Sequence, residues 1–292
     1  MSIGREPPQN STDNPLSGST SPVLLRISKR TLPSSPELLG YFPDKWIGHV
    51  TAPDNSRLVS YTTDYRTDSL KDLLEDQVEV LLVEDYNATG LVGDVTQMQP
   101  KRNGSRGYDK ATEENTFFWF LRATGATRVT VTRGGSWGLG KLAFPIASSI
   151  RTFFVVTSRE SSADRYLAGQ TVLDNHMRFS QWYQPMMYYA QDDLQEGRAW
   201  NAHDWLPISD EGEIDSFCSV FGVDRPLEKS GTSVVVPLPR RGLNLEDIAI
   251  CMVSNYCVPI LSGQLALQFV DEDETLWDVN SENIRELIDE GC

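Results

Sequence analysis

The sequence has little of what would mark a metal site or a disulfide scaffold. It contains only four cysteines and three histidines in 292 residues. No two cysteines form a CxxC pair, and Cys251 and Cys257 are too far apart for the usual zinc knuckle. We therefore expect free, mostly buried thiols. The histidines (His49, His176 and His203) are scattered along the chain, so we expect neither a metal centre nor a Ser-His-Asp triad.

Long apolar segments and a targeting signal are also lacking. The sequence contains no run of about 18 apolar residues, so we expect no membrane-spanning helix and no membrane partner. The first five residues are not followed by the apolar core of a signal peptide. Together, these absences predict a cytoplasmic protein.

Basic residues are outnumbered, since 26 lysines and arginines stand against 41 aspartates and glutamates, for a net charge of −15. Acidic residues are dense at residues 271–274. Because such a surface repels phosphate backbones, we expect no direct nucleic-acid binding. A nucleotide is not excluded, because one phosphate site needs only backbone N–H groups and a single cation.

The order of apolar patterns indicates the fold class. The length of 292 residues suits one large domain or two moderate ones, and the 39% of hydrophobic residues are enough for a sizeable core. Patterns typical of strands occur at residues 23–27, 78–83, 152–157, 166–173, 232–237 and 264–270. Patterns typical of helices occur at 68–76, 113–125, 214–221, 245–262 and 282–289. Without regular βαβ alternation, this order predicts an α+β fold, a two-layer α/β sandwich with helices on one face of a mixed sheet.

Four short motifs follow one another along the chain. They are EPPQNSTD at residues 6–13, EDYNATGL at 84–91, GGSWGLGK at 134–141 and GTSV at 231–234. The third is the most distinctive, because its four glycines, the lysine and the following apolar helix can present N–H groups and a charge to an anion. It is not a P-loop, since Leu142 stands where that motif needs Ser or Thr.

Together and in this order, the motifs resemble the ATP site of the GHKL (Bergerat-fold) family. That family includes the ATPase parts of type II topoisomerases, mismatch-repair proteins and heat-shock chaperones. The resemblance covers about residues 5–240 and implies the Bergerat fold, with ATP and Mg²⁺ as ligands. It also implies an ATP-binding domain over residues 1–240, followed by a helix–strand–helix extension over residues 241–292 that would be a partial second domain.

The resemblance assigns roles to the first two motifs. Glu6 would orient the attacking water, Asn10 would ligate Mg²⁺, and Asp13 matches a second acidic position. Glu6 and Asn10 lie four residues apart, on one face of a helix. Asp85 would accept a hydrogen bond from the adenine amino group. Gly90 would let the backbone approach the base closely.

The resemblance also assigns roles to the last two motifs. Gly135, Gly138 and Gly140 would belong to an ATP lid that surrounds the phosphates. Lys141 would place its charge at the γ-phosphate and act as a catalytic residue. Thr232 would support the adenine end, through the carboxylate of the second motif or a bound water.

These roles predict an ATPase that works as a conformational switch. In this family a second domain usually supplies a lysine to the γ-phosphate, yet no lysine follows Lys229 here. We therefore expect slow Mg²⁺-dependent hydrolysis, a protein partner or missing C-terminal domain, and compatibility with a nucleotide-dependent dimer. One alternative is a non-hydrolysing ATP-binding scaffold with the same fold. The other is an interaction protein that uses the aromatic segment 178–206.

Overall fold

A computed structural model of the protein describes residues 2–103, 107–123, 142–160, 162, 164–191 and 205–289. The strands in these ranges are β1 Val23–Pro33, β2 Gln77–Tyr86, β3 Thr152–Ser158, β4 Arg165–Val172, β5 His176–Arg178, β6 Gln181–Tyr183, β7 Met186–Tyr189, β8 Gly231–Pro237, β9 Leu265–Asp271 and β10 Glu274–Val279. Eight of them form one mixed sheet in the order β10-β9-β1-β2-β8-β3-β4-β7. Only β1 and β9 pair in parallel among these strands. β5 and β6 form a separate hairpin.

The helices of the described residues are mostly short. They are α1 Glu6–Thr12, α2 Pro36–Gly40, α3 Asp44–Val50, α4 Tyr61–Asp64, α5 Leu70–Asp76, α6 Lys110–Glu114, α7 Ala143–Ala147, α8 Glu211–Phe221, α9 Leu245–Leu261 and α10 Ile284–Asp289. Single 3₁₀ turns occur at Ser2–Gly4 and Pro53–Asn55, and a π-helical turn occurs at Phe118–Arg122. No helix within the described ranges is long and apolar enough to cross a bilayer.

Both faces of the central strands are apolar, because their sequences are apolar at successive positions. On β2, Leu81 and Val83 belong to one buried cluster, whereas Val80 and Leu82 belong to another. We call these sides the Leu81 face and the Leu82 face. Helices α7 and α9 pack against the Leu81 face, and α3 and α8 pack against the Leu82 face. The expected α+β class with a mixed sheet is confirmed, and the structure adds helices on the second face.

Residues 241–289 share this sheet and core. β9 pairs with β1 over seven positions, from Val23↔Leu265 to Lys29↔Asp271. Ile248 and Met252 of α9 lie in the cluster on the Leu81 face. The C-terminal segment also contains a strand that the sequence patterns did not predict, since β10 follows β9 as a hairpin. The boundary at residue 240 stays a prediction.

The predicted helix at residues 113–125 is interrupted at Asn115. α6 ends at Glu114, and the backbone N–H of Phe118 donates to the Asn115 side-chain oxygen at 2.9 Å. That side chain replaces a helical carbonyl, as asparagine does at helix starts, so a new turn begins there. Residues beyond Ala123 in this prediction lie outside the described residues.

Cys218, Cys251 and Cys257 form no disulfide bond and are of intermediate exposure. The expectation of reduced thiols is therefore confirmed for these three residues, although the expectation that they would be mostly buried holds only in part.

Candidate functional site

Three elements converge on one carboxylate at the end of β2. Asp85 accepts a hydrogen bond at Oδ1 from the backbone N–H of Thr232, the second residue of β8, at 2.5 Å. Its Oδ2 accepts from the hydroxyl of Ser11 in α1 at 2.8 Å. Side chains alternate between the two faces of a strand, and Asp85 lies two residues beyond Val83 on β2. Its side chain therefore lies on the Leu81 face, with Leu81 and Val83. Asp85 and Thr232, which the sequence predicted to act together, are therefore in direct contact.

The surroundings of Asp85 act on its charge in opposite directions. Burial raises the pKa of the carboxyl group. The Arg225 guanidinium, the Thr232 N–H and the Ser11 hydroxyl all lower it, because each stabilises the ionised form. The site therefore holds a desolvated carboxylate with specific partners on both oxygens, which is typical of a group that binds a polar ligand.

Gly231 is required where β8 passes Asp85. Its φ is +138°, a conformation that side chains rarely adopt. A Cβ at this position would collide with the backbone carbonyl oxygen of Asp85 and would lie 2.7 Å from Oδ1. The glycine of the fourth motif therefore allows the two strands to approach closely enough for the contact between Asp85 and Thr232.

Gly90 plays a similar part in the loop that follows β2. Its φ is +73°, and a Cβ there would collide with the backbone carbonyl oxygen of Ser158 at the end of β3. The next residue, Leu91, donates its N–H to the Thr157 hydroxyl at 2.7 Å and accepts at its carbonyl from Arg159 Nε at 2.8 Å. The loop is thus held against the end of β3, next to β8.

Asn87, in the second motif, turns the chain directly after β2. Its φ is +60°, a left-handed conformation that asparagine tolerates better than most residues. Its side-chain amide donates to the Pro22 carbonyl at 2.9 Å. The left-handed position after β2 is therefore occupied without a glycine.

The first motif forms α1, with both prolines of its sequence in the first turn. The face of α1 that meets Asp85 carries Ser11, which is 3% exposed, whereas Asn10 is exposed. Burial, with the nearby charges of Glu6 and Asp13, raises the pKa of Tyr256 in α9. The two acidic residues therefore lie near α9, and the structure connects α1 to Asp85 through Ser11.

The residues expected to form a lid, Gly135, Gly138, Gly140 and Lys141, lie outside the described residues. The chain is described again from Leu142, and α7 places Phe144 in the cluster on the Leu81 face. The predicted helix after the glycine-rich motif is therefore confirmed, on the same side of the sheet as Asp85.

Sequence reasoning missed two side chains of this site, Ser11 and Arg225. Ser11 lies inside the first motif, and a small polar residue one position after Asn10 was its only sequence signal. Arg225 lies between α8 and β8, outside every motif, and donates from Nη2 to the carbonyl of Asp85 at 2.6 Å. No sequence pattern singled it out.

The histidines predicted to be scattered include a buried pair on the Leu82 side of the molecule. Nδ1 of His49 in α3 lies 2.9 Å from Nε2 of His176 in β5, and the two residues are 3% and 0% exposed. Nδ1 of His176 contacts the Asp174 carbonyl at 2.9 Å. Within the described residues, no group of three or more His, Cys, Asp or Glu side chains could hold a metal ion. The two imidazoles are thus buried in contact with each other.

Comparison with known proteins gives structural likeness only. No protein-family model and no curated protein match the sequence. Two structures of the ATPase region of Saccharomyces cerevisiae topoisomerase II, one bound to ICRF-187 (dexrazoxane), match over 98% of this chain with TM-scores of 0.34 and identities of 12% and 13%. The ATPase and transducer domains of Balamuthia mandrillaris topoisomerase II match over 98% with a TM-score of 0.35 and 12% identity.

This chain covers only 50% to 51% of those three structures, so it spans about half their length. At such low TM-scores and identities, these likenesses do not by themselves place the chain in a family.

Proposed function

We propose that this protein binds an adenine nucleotide at the edge formed by the ends of β2, β3 and β8. The observation that carries the proposal is the Asp85 carboxylate, held by Thr232 and Ser11 between two close backbone approaches that only glycine permits. An amino group on a flat base is a donor, and a fixed carboxylate at a desolvated edge is a matching acceptor. Gly90 and Gly231 keep side chains away from this edge.

The motifs imply two further ligands, Mg²⁺ and the phosphate groups. Asn10 is exposed on α1 and offers an amide oxygen, the kind of ligand that Mg²⁺ takes from proteins. Mg²⁺ would neutralise phosphate charge. Gly135, Gly138, Gly140 and Lys141 are proposed to hold the phosphates, with Lys141 also catalytic and Asp13 supporting the Asn10 end.

Nucleotide binding is tested by thermal unfolding with Mg·ATP, Mg·ADP and Mg·GTP. A ligand at 100 times its dissociation constant adds about 2.7 kcal/mol to the free energy of unfolding, which for a protein of this size is a shift of several degrees. We expect this shift with adenine nucleotides for the wild type and for the exposed control Asp76→Asn, and its loss in Asp85→Asn. An equal shift in Asp85→Asn would remove Asp85 from the site.

We further propose slow Mg²⁺-dependent hydrolysis, with Glu6 as the residue that positions water. This activity would make the protein a conformational switch, in which an ordered lid changes the surface offered to a protein partner or a further domain. We also propose that the protein forms a nucleotide-dependent dimer, that it is cytoplasmic, and that it does not bind nucleic acid directly.

One observation favours a second function, nucleotide binding without turnover. The α1 residue that donates a hydrogen bond to Asp85 is Ser11. Glu6→Gln separates the two functions. If the protein is an ATPase, we expect this variant to lose at least about 100-fold in turnover while binding Mg·ATP like the wild type. Undetectable turnover in both proteins, with intact binding, would establish the scaffold function instead.

A further inference from the structure

Arg225 contacts the end of β2 from the side opposite to the proposed nucleotide. Nη2 donates to the Asp85 carbonyl at 2.6 Å, Nε donates to the Ser233 hydroxyl at 3.0 Å, and Nη1 donates to the Ser230 carbonyl at 3.2 Å. Ser233 is two residues before Val235, which belongs to the Leu82 face. The guanidinium therefore joins β2 and β8 on that face, while the Asp85 side chain lies on the other.

The same guanidinium connects the last three residues of β2. The Ser233 hydroxyl donates a hydrogen bond to Oε1 of Glu84 at 2.9 Å, and both side chains are buried. The Arg225 guanidinium carbon lies 4.5 Å from the centre of the Tyr86 ring. A planar guanidinium can donate from all three nitrogens and stack on an aromatic ring at once, which an ammonium group cannot do. Arg225 thus holds Glu84, Asp85 and Tyr86 together.

We propose that Arg225 is the positioning residue of this site, and that it fixes the end of β2 so that Asp85 meets the nucleotide as an oriented anion. This inference rests on the proposed function. The peptide of Asp85 is held at its carbonyl by Arg225, and its carboxylate is held by Thr232 and Ser11. A shift of the strand end would therefore move the acceptor away from its ligand.

The charge of Arg225 matters as well as its hydrogen bonds. Burial raises the pKa of Asp85, and Arg225 is the strongest of the groups that oppose this increase. Because an opposite charge within about 4–6 Å changes a carboxyl pKa by about 1–3 units, removal of the guanidinium moves the Asp85 titration upward. A protonated Asp85 would need one of its oxygens to donate, although both oxygens accept in this site.

The test compares Arg225→Gln and Arg225→Lys with Arg30→Gln as the matched control. Arg30 pairs with Asp224, the neighbour of Arg225, at 2.9 Å. For each protein, the free energy of unfolding is measured against pH with and without Asp85→Asn. A buried Asp whose folded pKa is raised destabilises the fold as pH increases through that pKa, so the difference between the paired proteins reports the titration of Asp85.

We expect this transition to move upward by at least about one pH unit in Arg225→Gln, to return toward the wild-type position in Arg225→Lys, and to stay unchanged in Arg30→Gln. In Arg225→Gln, Mg·ATP binding measured over the same pH range should weaken as the pH falls below this shifted transition, because Asp85 becomes protonated there. A transition at the wild-type pH in Arg225→Gln would overturn the inference, because a purely structural residue would lower stability uniformly. If the wild type binds no nucleotide but the transition still moves upward in Arg225→Gln, the proposed function is contradicted, while the effect of Arg225 on Asp85 stands.

Discussion

Gly90→Ala should destabilise the protein by about 3 kcal/mol or more. Two costs add at this position. The first is the left-handed backbone, with φ of +73°, which costs an L-residue about 1–2 kcal/mol. The second is the collision of the new Cβ with the Ser158 carbonyl oxygen, which belongs to the backbone of β3 and cannot rotate away. Denaturant unfolding measures the sum.

Gly18→Ala is the matched control for Gly90→Ala. Gly18 has nearly the same φ, +74°, but a Cβ there would meet nothing within 4 Å. Gly18→Ala should lower the free energy of unfolding only by the conformational cost of about 1–2 kcal/mol. The difference between the two variants then isolates the close approach of the Gly90 loop to β3. Equal losses in the two variants would contradict the packing of this loop. Nucleotide binding should weaken in Gly90→Ala alone, measured under conditions where both variants are folded.

Acidification should cost the protein about 3 kcal/mol of stability by pH 4, through the buried imidazole of His49. Burial, followed by the charges of His176, Lys45 and Arg178, lowers the pKa of His49 from 6.5 to about 4. The folded protein then binds fewer protons than the unfolded chain below pH 6.5, so stability falls as pH decreases from about 6.5 toward 4. The stabilisation is fully present only above pH 6.5.

The hydrogen bonds of the pair assign the protons on the facing ring nitrogens. With Nδ1–H of His176 donating to the Asp174 carbonyl, Nε2 of His176 must accept from Nδ1–H of His49.

His49→Gln should abolish most of this acid-dependent loss, whereas His203→Gln, at the remaining histidine, should retain it. The free energy of unfolding at pH 7 and at pH 4 measures the effect. A pH dependence that is the same in the wild type and in His49→Gln would show that the pair does not control it.

The strands of the sheet were predictable where their sequences are apolar and their ends carry turn residues. β2 and β8 meet both conditions, since Gly90 follows one and Gly231 opens the other. The β5–β6 and β9–β10 hairpins were missed because their turns lack glycine. Phe179, Ser180 and Glu272 have φ of +48°, +59° and +50°, values that a sequence pattern assigns to Gly or Asn.

The candidate site was predictable only where a motif marks the backbone. Asp85, Gly90 and Thr232 each lie at a strand end, so the motif order was enough to place them together. Ser11 and Arg225 contact Asp85 across 74 and 140 residues of sequence. Such contacts depend on how α1 and the loop before β8 pack on the sheet, and no local pattern records this packing.

The pairing of the two histidines was not predictable for the same reason. His49 and His176 are 127 residues apart, and they meet only because the β5–β6 hairpin folds back on α3. Isolated histidines in a sequence therefore say little about whether they share a site.

The central claim is that Asp85 selects adenine, and calorimetric titration of Mg·ATP and Mg·GTP into the wild type and Asp85→Asn tests it most directly. Adenine presents an amino donor at the position where guanine presents a carbonyl acceptor, whereas the asparagine amide replaces one acceptor oxygen by a donor. We predict that the wild type binds ATP at least about tenfold more tightly than GTP, and that Asp85→Asn loses this preference. An ATP preference of the same size in both proteins would contradict the account.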